Sequence, residues 1–311
     1  NVMVFAAEGN FDDAQNGVKR IFTDRAYAEE LADRGYILSS ANSINWGRLV
    51  PQIAYYFSAY CELLNAGRVK PGDPVNIVVP TGNFGNILAA YFAKHCGLPV
   101  GKLVCASNRN NVLTDFITTG TYDRNRGFYV TTSPSMDILI SSNLERLLYL
   151  LCGRDDKVLR GYMEALAKTG KYTVGADVLA KLQSEFAAGC ADDAATAAAI
   201  RGVYRETGYL CDTHTAVAVN VYRDYAAKTG DRTPTVIAST ASPFKFANSV
   251  LPAAFGRAAD GGDFALLAKL AELSGQPAPQ ALAGLQDKTE RFTATVEPAK
   301  MKEAVSGWLG I

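Results

Sequence analysis

Short apolar runs alternate along this chain with longer segments whose apolar positions recur every three or four residues. Val2–Phe5 is an unbroken apolar run and predicts a buried strand; "GNFDDAQNGVKRIF" follows with turn residues, then Ala14, Val18, Ile21 and Phe22 at helical spacing. A second helical stretch, Asp24 to Arg34, stops at Gly35, whose missing Cβ suits a left-handed helix end. "YILSSANSIN" predicts a short strand emptying into a polar loop. "WGRLVPQIAYYFSAYCELL" puts Leu49, Ile53, Tyr56, Phe57 and Tyr60 on one helical face, with Pro51 in the first turn. "PVNIVVP", a glycine turn and "ILAAYFAKHCG" then read as strand, turn and helix. "KLVCAS" is the next strand, close enough to complete a right-handed βαβ unit. "VLTDFITTG" predicts a helix ended by Gly120.

Residues 142–208 read as almost wholly helical and rich in alanine, which predicts a helical insertion on the surface. "THTAVAVNVYRDYAA" is a helix capped by Asp212 or Thr213, "PTVIAST" a strand, and "SPFKFANSVLPAAF" a loop followed by a helix. Residues 256–311 form a carboxy-terminal helical tail, with segments at 264–273 and 298–309. Strands separated by helices predict an α/β fold, a doubly wound and mostly parallel sheet with helices on both faces. In such a sheet ligands gather at the carboxyl ends of strands, where residues 42–48, 81–86 and 239–242 fall.

Composition narrows the chemistry. The 311 residues suffice for one large α/β unit or about two domains. Lys plus Arg (31) equals Asp plus Glu (31), so no net field favours nucleic acid or an anionic membrane, and any anion site must be local. No apolar run approaches the roughly 18 residues that span a bilayer. Cys61, Cys96, Cys105, Cys152, Cys190 and Cys211 are scattered without metal spacing, and His95 and His214 lie far apart. These features predict reduced thiols, a cytoplasmic setting and no metal centre. The chain starts at Asn1 with neither an initiator methionine nor a basic leader, and reads as a fragment entered in mid-strand.

The loop "PTGNFGN" carries the clearest chemistry. Between a buried strand and a helix, Gly82 and Gly85 leave backbone N–H groups unshielded, and the helix adds its own unpaired N–H groups and positive dipole end. A plainer reading is that the two glycines merely permit a tight turn. The loop is neither GxGxxG nor a Walker loop, and with no lysine inside it a cofactor monophosphate is the fitting anion. Plainer readings also exist elsewhere. Asn42 and Ser43 could cap a helix, Arg48 could be an exposed helical arginine, and Ser and Thr of "STAS" could close a strand into a turn.

"SSANSINWGRLVPQIAYYF", "VVPTGNFGNILAAYFAKHCGLPV", "GYLCDTHTAVAV" and "STASPFKF", in this order and spacing, resemble threonine synthase, a pyridoxal-phosphate enzyme of the tryptophan-synthase-β fold type. The resemblance runs from Asn1 to about Leu251 and is weakest between about Arg154 and Arg205. It implies conversion of O-phospho-L-homoserine and water into L-threonine and phosphate. It further implies that residues 1–40 are the remainder of a small domain and 41–311 the large cofactor domain. Gly82, Asn83, Phe84, Gly85 and Asn86 would cradle the phosphate of pyridoxal 5'-phosphate, and Thr240 would meet its pyridine nitrogen with a neutral hydroxyl. Asn42, Ser43, Arg48 and Asn83 would bind the substrate's phosphate.

The family's Schiff-base lysine sits in a Phe-Lys-Asp motif, and a Ser-Gly-Asp-Thr-Gly loop holds the substrate carboxylate; neither occurs here. The lysine is therefore expected upstream of Asn1, with no catalytic residue within the chain, which is expected to be inactive alone. Lys245 follows the pyridine-nitrogen loop and does not occupy the family's lysine position; a solvated lysine is its plainer reading. His214 reads as structural and His95 as a charge at a helix end. Two rivals remain: a lyase of the same fold acting on another phosphorylated amine, and a truncated, non-catalytic binding protein. The sequence leaves oligomeric state open.

Overall fold

The computed structural model describes residues 2–9, 11–40 and 42–311. The chain divides into two compact units, Asn1–Ala41 with Gly284–Ile311, and Asn42–Ala283. The smaller unit opens with β1 (Ala6–Ala7), α1 (Phe11–Thr23) and α2 (Arg25–Asp33). Asp24 caps α2, accepting from the Tyr27 N–H at 3.1 Å. Val2 and Val4 are more than half exposed, at 57% and 52%, so the apolar run expected to be a buried strand is not one; pairing begins at Ala6. Residues 36–40 are likewise not a strand, and Ile37 is 91% exposed.

In the larger unit, α3 (Trp46–Asn65) carries Leu49, Tyr56 and Tyr60 inward. Pro51 lies one turn deeper in α3 than its sequence position predicts. There follow β2 (Val75–Pro80), α4 (Gly85–His95), β3 (Val100–Ser107), α5 (Val112–Thr119) and β4 (Thr121–Asp123). Next come α6 (Leu144–Leu151), α7 (Asp156–Thr169), β5 (Lys171–Thr173), α8 (Ala176–Glu185), β6 (Phe186–Cys190) and α9 (Asp193–Thr207). The unit closes with α10 (Thr213–Thr229), β7 (Thr235–Ile237), α11 (Ala247–Phe255), α12 (Asp263–Ser274) and α13 (Gln280–Ala283).

Residues 284–311 belong to the smaller unit, not to the large domain that the resemblance assigned them to. There β8 (Thr295–Val296) pairs in parallel with β1, and α14 (Met301–Leu309) brings Met301 and Leu309 against Ile21, Tyr27 and Leu31. Among the described residues, no helix is long and apolar enough to cross a membrane.

The central sheet has the order β6-β3-β2-β7, and every pairing in it is parallel. Alternation of side chains along its strands builds two layers. Ile77, Val79, Leu103 and Cys105 join one apolar cluster with α3, α4, α5, α6 and α8, while Val78, Val104 and Ala106 pack against Val217, Ala218 and Val221 of α10. Helices therefore cover both faces. The chain winds from β2 outward through β3 to β6, then returns to place β7 on the other side of β2. That reversal makes a topological switch point at the carboxyl ends of β2 and β7, the place where open α/β sheets bind ligands.

Residues 142–208 are not a helical insertion. They contribute β6, whose residues pair with Leu103–Ser107, and β5, which makes an antiparallel pair with β4. "FAAGC" has the small, alanine-rich composition of a helix, but the backbone groups of β3 offer it ladder partners, and tertiary pairing overrides propensity.

At the other end of the sheet the β2–β3 register slips between Val75 and Ile77. Asn76 fills the irregularity: its Oδ1 accepts the Lys102 N–H at 2.7 Å and its Nδ2 donates to Asp231 Oδ2 at 2.8 Å. Asp231 also accepts from the Tyr225 hydroxyl at 2.7 Å and the Thr233 N–H at 2.9 Å. Asn76→Ala should orphan the bulged N–H and destabilise the protein by about 2 kcal/mol, read as a lowered urea midpoint with unchanged slope.

Candidate functional site

The switch point holds a cleft of about 300 Å³, at the small end of the range for ligand pockets. Its floor is the segment from Pro80 to Asn86, joining β2 to α4. The Thr81 N–H donates to Ala106 O at 2.8 Å, extending the β2–β3 ladder one step past the strand. At Phe84 the backbone turns left-handed, φ 61° and ψ 6°, with the ring 1% exposed and 5.7 Å from the Phe186 ring. Such a backbone costs a side-chain-bearing residue about 1–3 kcal/mol, which burial of a phenyl ring of about 2 kcal/mol offsets. Phe84 is the N-cap of α4 yet offers no side-chain cap. The first N–H groups of the helix thus have no intrahelical acceptor, and they carry the positive end of its dipole.

The loop is gripped from outside. Gly82 O accepts from Ser141 Oγ at 2.8 Å, and Asn83 O accepts from the Asn143 N–H at 3.1 Å and Nδ2 at 2.8 Å. Ser142 Oγ donates to Asn83 Oδ1 at 3.3 Å. Ser141 is held in turn, since its N–H donates to the Tyr122 hydroxyl at 2.9 Å, which donates to Leu139 O at 3.0 Å. The Tyr122 ring stacks on Tyr172, 5.4 Å away across the β4–β5 pair, and burial pushes its phenol well up from the ordinary tyrosine value. It therefore stays a neutral hydroxyl.

The turn Pro134–Met136 supplies a second wall. A Cβ at Gly82 would meet Ser135 O at 2.7 Å, so only glycine allows this approach. Asn108 and Asp137 tie the base of the turn, Asn108 Nδ2 donating to Asp137 Oδ1 at 2.7 Å and to Ser133 O at 3.3 Å. From the far side the Ser135 N–H donates to His214 Nε2 at 3.1 Å. With Nε2 an acceptor, the imidazole proton sits on Nδ1, 3.1 Å from Asp212 Oδ1. Asp212 also caps α10, accepting from the His214 N–H at 2.8 Å, and it accepts from the Thr215 hydroxyl. Burial alone would raise the Asp212 carboxyl, but the hydrogen bonds from His214 and Thr215 together outweigh it and hold the group below its ordinary value. His214 thus positions the wall that meets Gly82.

Of the residues singled out in the sequence, Gly82, Asn83, Phe84, Gly85, Asn86, Ser43 and Thr240 all line this cleft, with Thr240 on the β7 side. Asn42 and Arg48 do not line it. Asn42 Oδ1 accepts from Ser43 Oγ at 3.1 Å, which orients Ser43; Arg48 is exposed on α3. The cap of α3 is Asn45, accepting from the Gly47 N–H at 2.8 Å, so Asn42 and Ser43 are not its capping pair. Tyr56 donates its hydroxyl to Asn86 Oδ1, leaving the Asn86 amide nitrogen as the free end. Gln52, Ser135, Met136, Lys245 and Phe246 also line the cleft. Of these the sequence points only to Lys245, as a solvated lysine, and it is exposed at the edge of the cleft; Ser135 and Met136 come from a turn whose sequence carries no motif.

A family model described as "Threonine synthase, C-terminal" matches residues 215–306. Threonine synthase-like 1 of Homo sapiens is 45% identical over 256 residues, covering 81% of this chain and 34% of that protein. Threonine synthase of Pseudomonas aeruginosa is 39% identical over 273 residues, covering 88% and 54%. Among solved structures, PLP-bound threonine synthase from Brucella melitensis superposes with a TM-score of 0.80 at 38% identity, covering 99% of this chain and 59% of its own. The chain thus spans from about one third to about three fifths of the proteins it matches.

Because the Asp212 carboxyl is lowered in the folded protein, the stability it contributes is complete above the ordinary carboxylate value of about 3.9 and is lost as pH falls through the lowered value. Asp212→Asn should cost about 2 kcal/mol at pH 7, and its deficit against wild type should shrink below pH 4. Urea midpoints measured at pH 7 and pH 3 check both statements.

Proposed function

We propose that this chain, threonine synthase-like in sequence and fold, grips cofactor and substrate in a pyridoxal-phosphate-dependent lyase that turns O-phospho-L-homoserine and water into L-threonine and phosphate. The observation that carries this reading is the single cleft joining the Thr81–Asn86 loop, Ser43 and Thr240. The cofactor fits the residues present: the uncapped start of α4 offers neutral donors to a phosphate, and Gly82 lets the Ser135 wall close against the loop that presents them. Bound there, pyridoxal phosphate would supply an electron sink that stabilises negative charge on the substrate.

The chain's own residues then take distinct parts. The backbone amides of Gly82, Asn83, Phe84, Gly85 and Asn86, running into the start of α4, hold the cofactor phosphate. Thr240, on the β7 side, opposes the pyridine nitrogen with a hydroxyl that cannot keep it protonated as a carboxylate would. Asn83 and Ser43 hold the substrate phosphate, with Ser43 oriented by Asn42. Arg48, on the first turn of α3, provides a guanidinium fork for a phosphate arriving from solvent. A second reading keeps the fold and changes the substrate to another phosphorylated amine.

The test is product analysis of the protein expressed from its complete reading frame, supplied with pyridoxal phosphate and O-phospho-L-homoserine. Phosphate and threonine should appear in equal amounts, and Gly82→Ala should lower cofactor affinity about tenfold or more, since its Cβ cannot share space with Ser135 O. Faster phosphate release from another phosphorylated amine than from O-phospho-L-homoserine would support the second reading, and release from neither would overturn both.

A further inference from the structure

We propose that Lys245 supplies the positive charge that completes phosphate-monoester binding in this cleft, neutralising the dianion that the Gly82–Asn86 loop holds. The inference rests on the reading above that the cleft takes a phosphate, and goes beyond it by naming the cation. Residues Pro243–Phe246 form a tight turn at the edge of the cleft, with Ser242 Oγ accepting from the Phe244 N–H at 3.3 Å and Ser242 O from the Lys245 N–H at 3.0 Å. The turn is pinned on both sides of the lysine. Phe244 is buried in the apolar cluster with Leu251 and Leu266, and the Phe246 ring lies 4.8 Å from the His214 ring. The backbone of Lys245 is thereby fixed where the residue lines the cleft.

The other groups around the cleft make this charge consequential. Its lining includes no aspartate or glutamate and no second lysine or arginine. His214 accepts a hydrogen bond at Nε2, and the loop's donors are backbone amides. No ion pair among the described residues involves Lys245, so no carboxylate competes for it. A phosphate monoester is close to dianionic at pH 7, and neutral donors alone would leave that charge uncompensated in a half-enclosed site. An ammonium on a flexible four-carbon stem can approach such a ligand as a point charge, where screening is weaker than in open water.

The experiment is calorimetric titration of wild type, Lys245→Gln and Lys245→Arg with inorganic phosphate, pyridoxamine 5'-phosphate and O-phospho-L-homoserine. Pyridoxamine phosphate has no aldehyde, so the lysine cannot condense with it and only charge is read. Lys245→Gln should weaken binding about tenfold, Lys245→Arg should stay within about twofold of wild type, and added NaCl should weaken wild type more than Lys245→Gln. A loss seen with pyridoxamine phosphate assigns the lysine to the cofactor's phosphate; a loss confined to O-phospho-L-homoserine assigns it to the substrate's. Affinity for all three ligands within twofold of wild type in Lys245→Gln overturns the proposal while leaving the cofactor reading intact. Lysine-dependent binding of inorganic phosphate with no binding of pyridoxamine phosphate supports the proposal and sinks the cofactor reading. Failure of wild type to bind any of the three overturns both.

Discussion

At Phe84 the backbone turns left-handed at φ 61° while the ring is buried against Phe186, and this one residue converts the end of a buried strand into the start of a helix. The geometry of the cleft follows from it. The turn places the first amides of α4 at the switch point, and no side-chain cap takes up their hydrogen bonds. It also brings Gly82 and Asn83 under the Ser141–Asn143 segment, where their carbonyl oxygens accept hydrogen bonds. Only a closely packed surround keeps a phenylalanine in that conformation. Here the surround is the apolar cluster between α4, α5 and α8 on one side, and the Ser141–Asn143 and Ser135 segments on the other.

The support reaches far along the sequence. Tyr122, stacked on Tyr172, holds Ser141; Ser141 holds Gly82; Asp212 orients His214, which holds Ser135 against Gly82 from the opposite side. A loop of six residues is thus set by groups spread downstream from Tyr122 to His214. Substitutions at Tyr122 or Asp212 would alter phosphate binding without touching a ligand, because they move the walls that define where the loop can sit.

This also marks how far the sequence could be read. The strand–glycine–helix pattern at residues 75–95 was legible because a strand buried on both faces, a polar turn and an alanine-rich helix differ in periodicity, and the donors at the turn are backbone groups that any such pattern provides. Thr240 and Ser43 were legible as parts of motifs at strand ends and lie in the same cleft. Ser135, Met136 and Gln52 were not, since each gains its place through contacts between distant segments. The strand at Phe186–Cys190 was missed because Ala187, Ala188 and Gly189 carry no β-branched signal, and the ladder offered by β3 decided their conformation. Val2–Phe5 departs in the opposite sense: without a ladder partner Val2 and Val4 stay exposed. The tail at 284–311 joins the first forty residues through the β1–β8 pair, a long-range contact that no local pattern announces.

Whether the amides after Phe84 hold a phosphate is decided by a crystal structure with bound pyridoxamine 5'-phosphate. Phosphate oxygens should lie about 3 Å from backbone nitrogens of the Gly82–Asn86 loop, with the ring running toward Thr240. A phosphate bound away from the start of α4, with none of its oxygens within hydrogen-bond reach of those amides, would contradict this assignment.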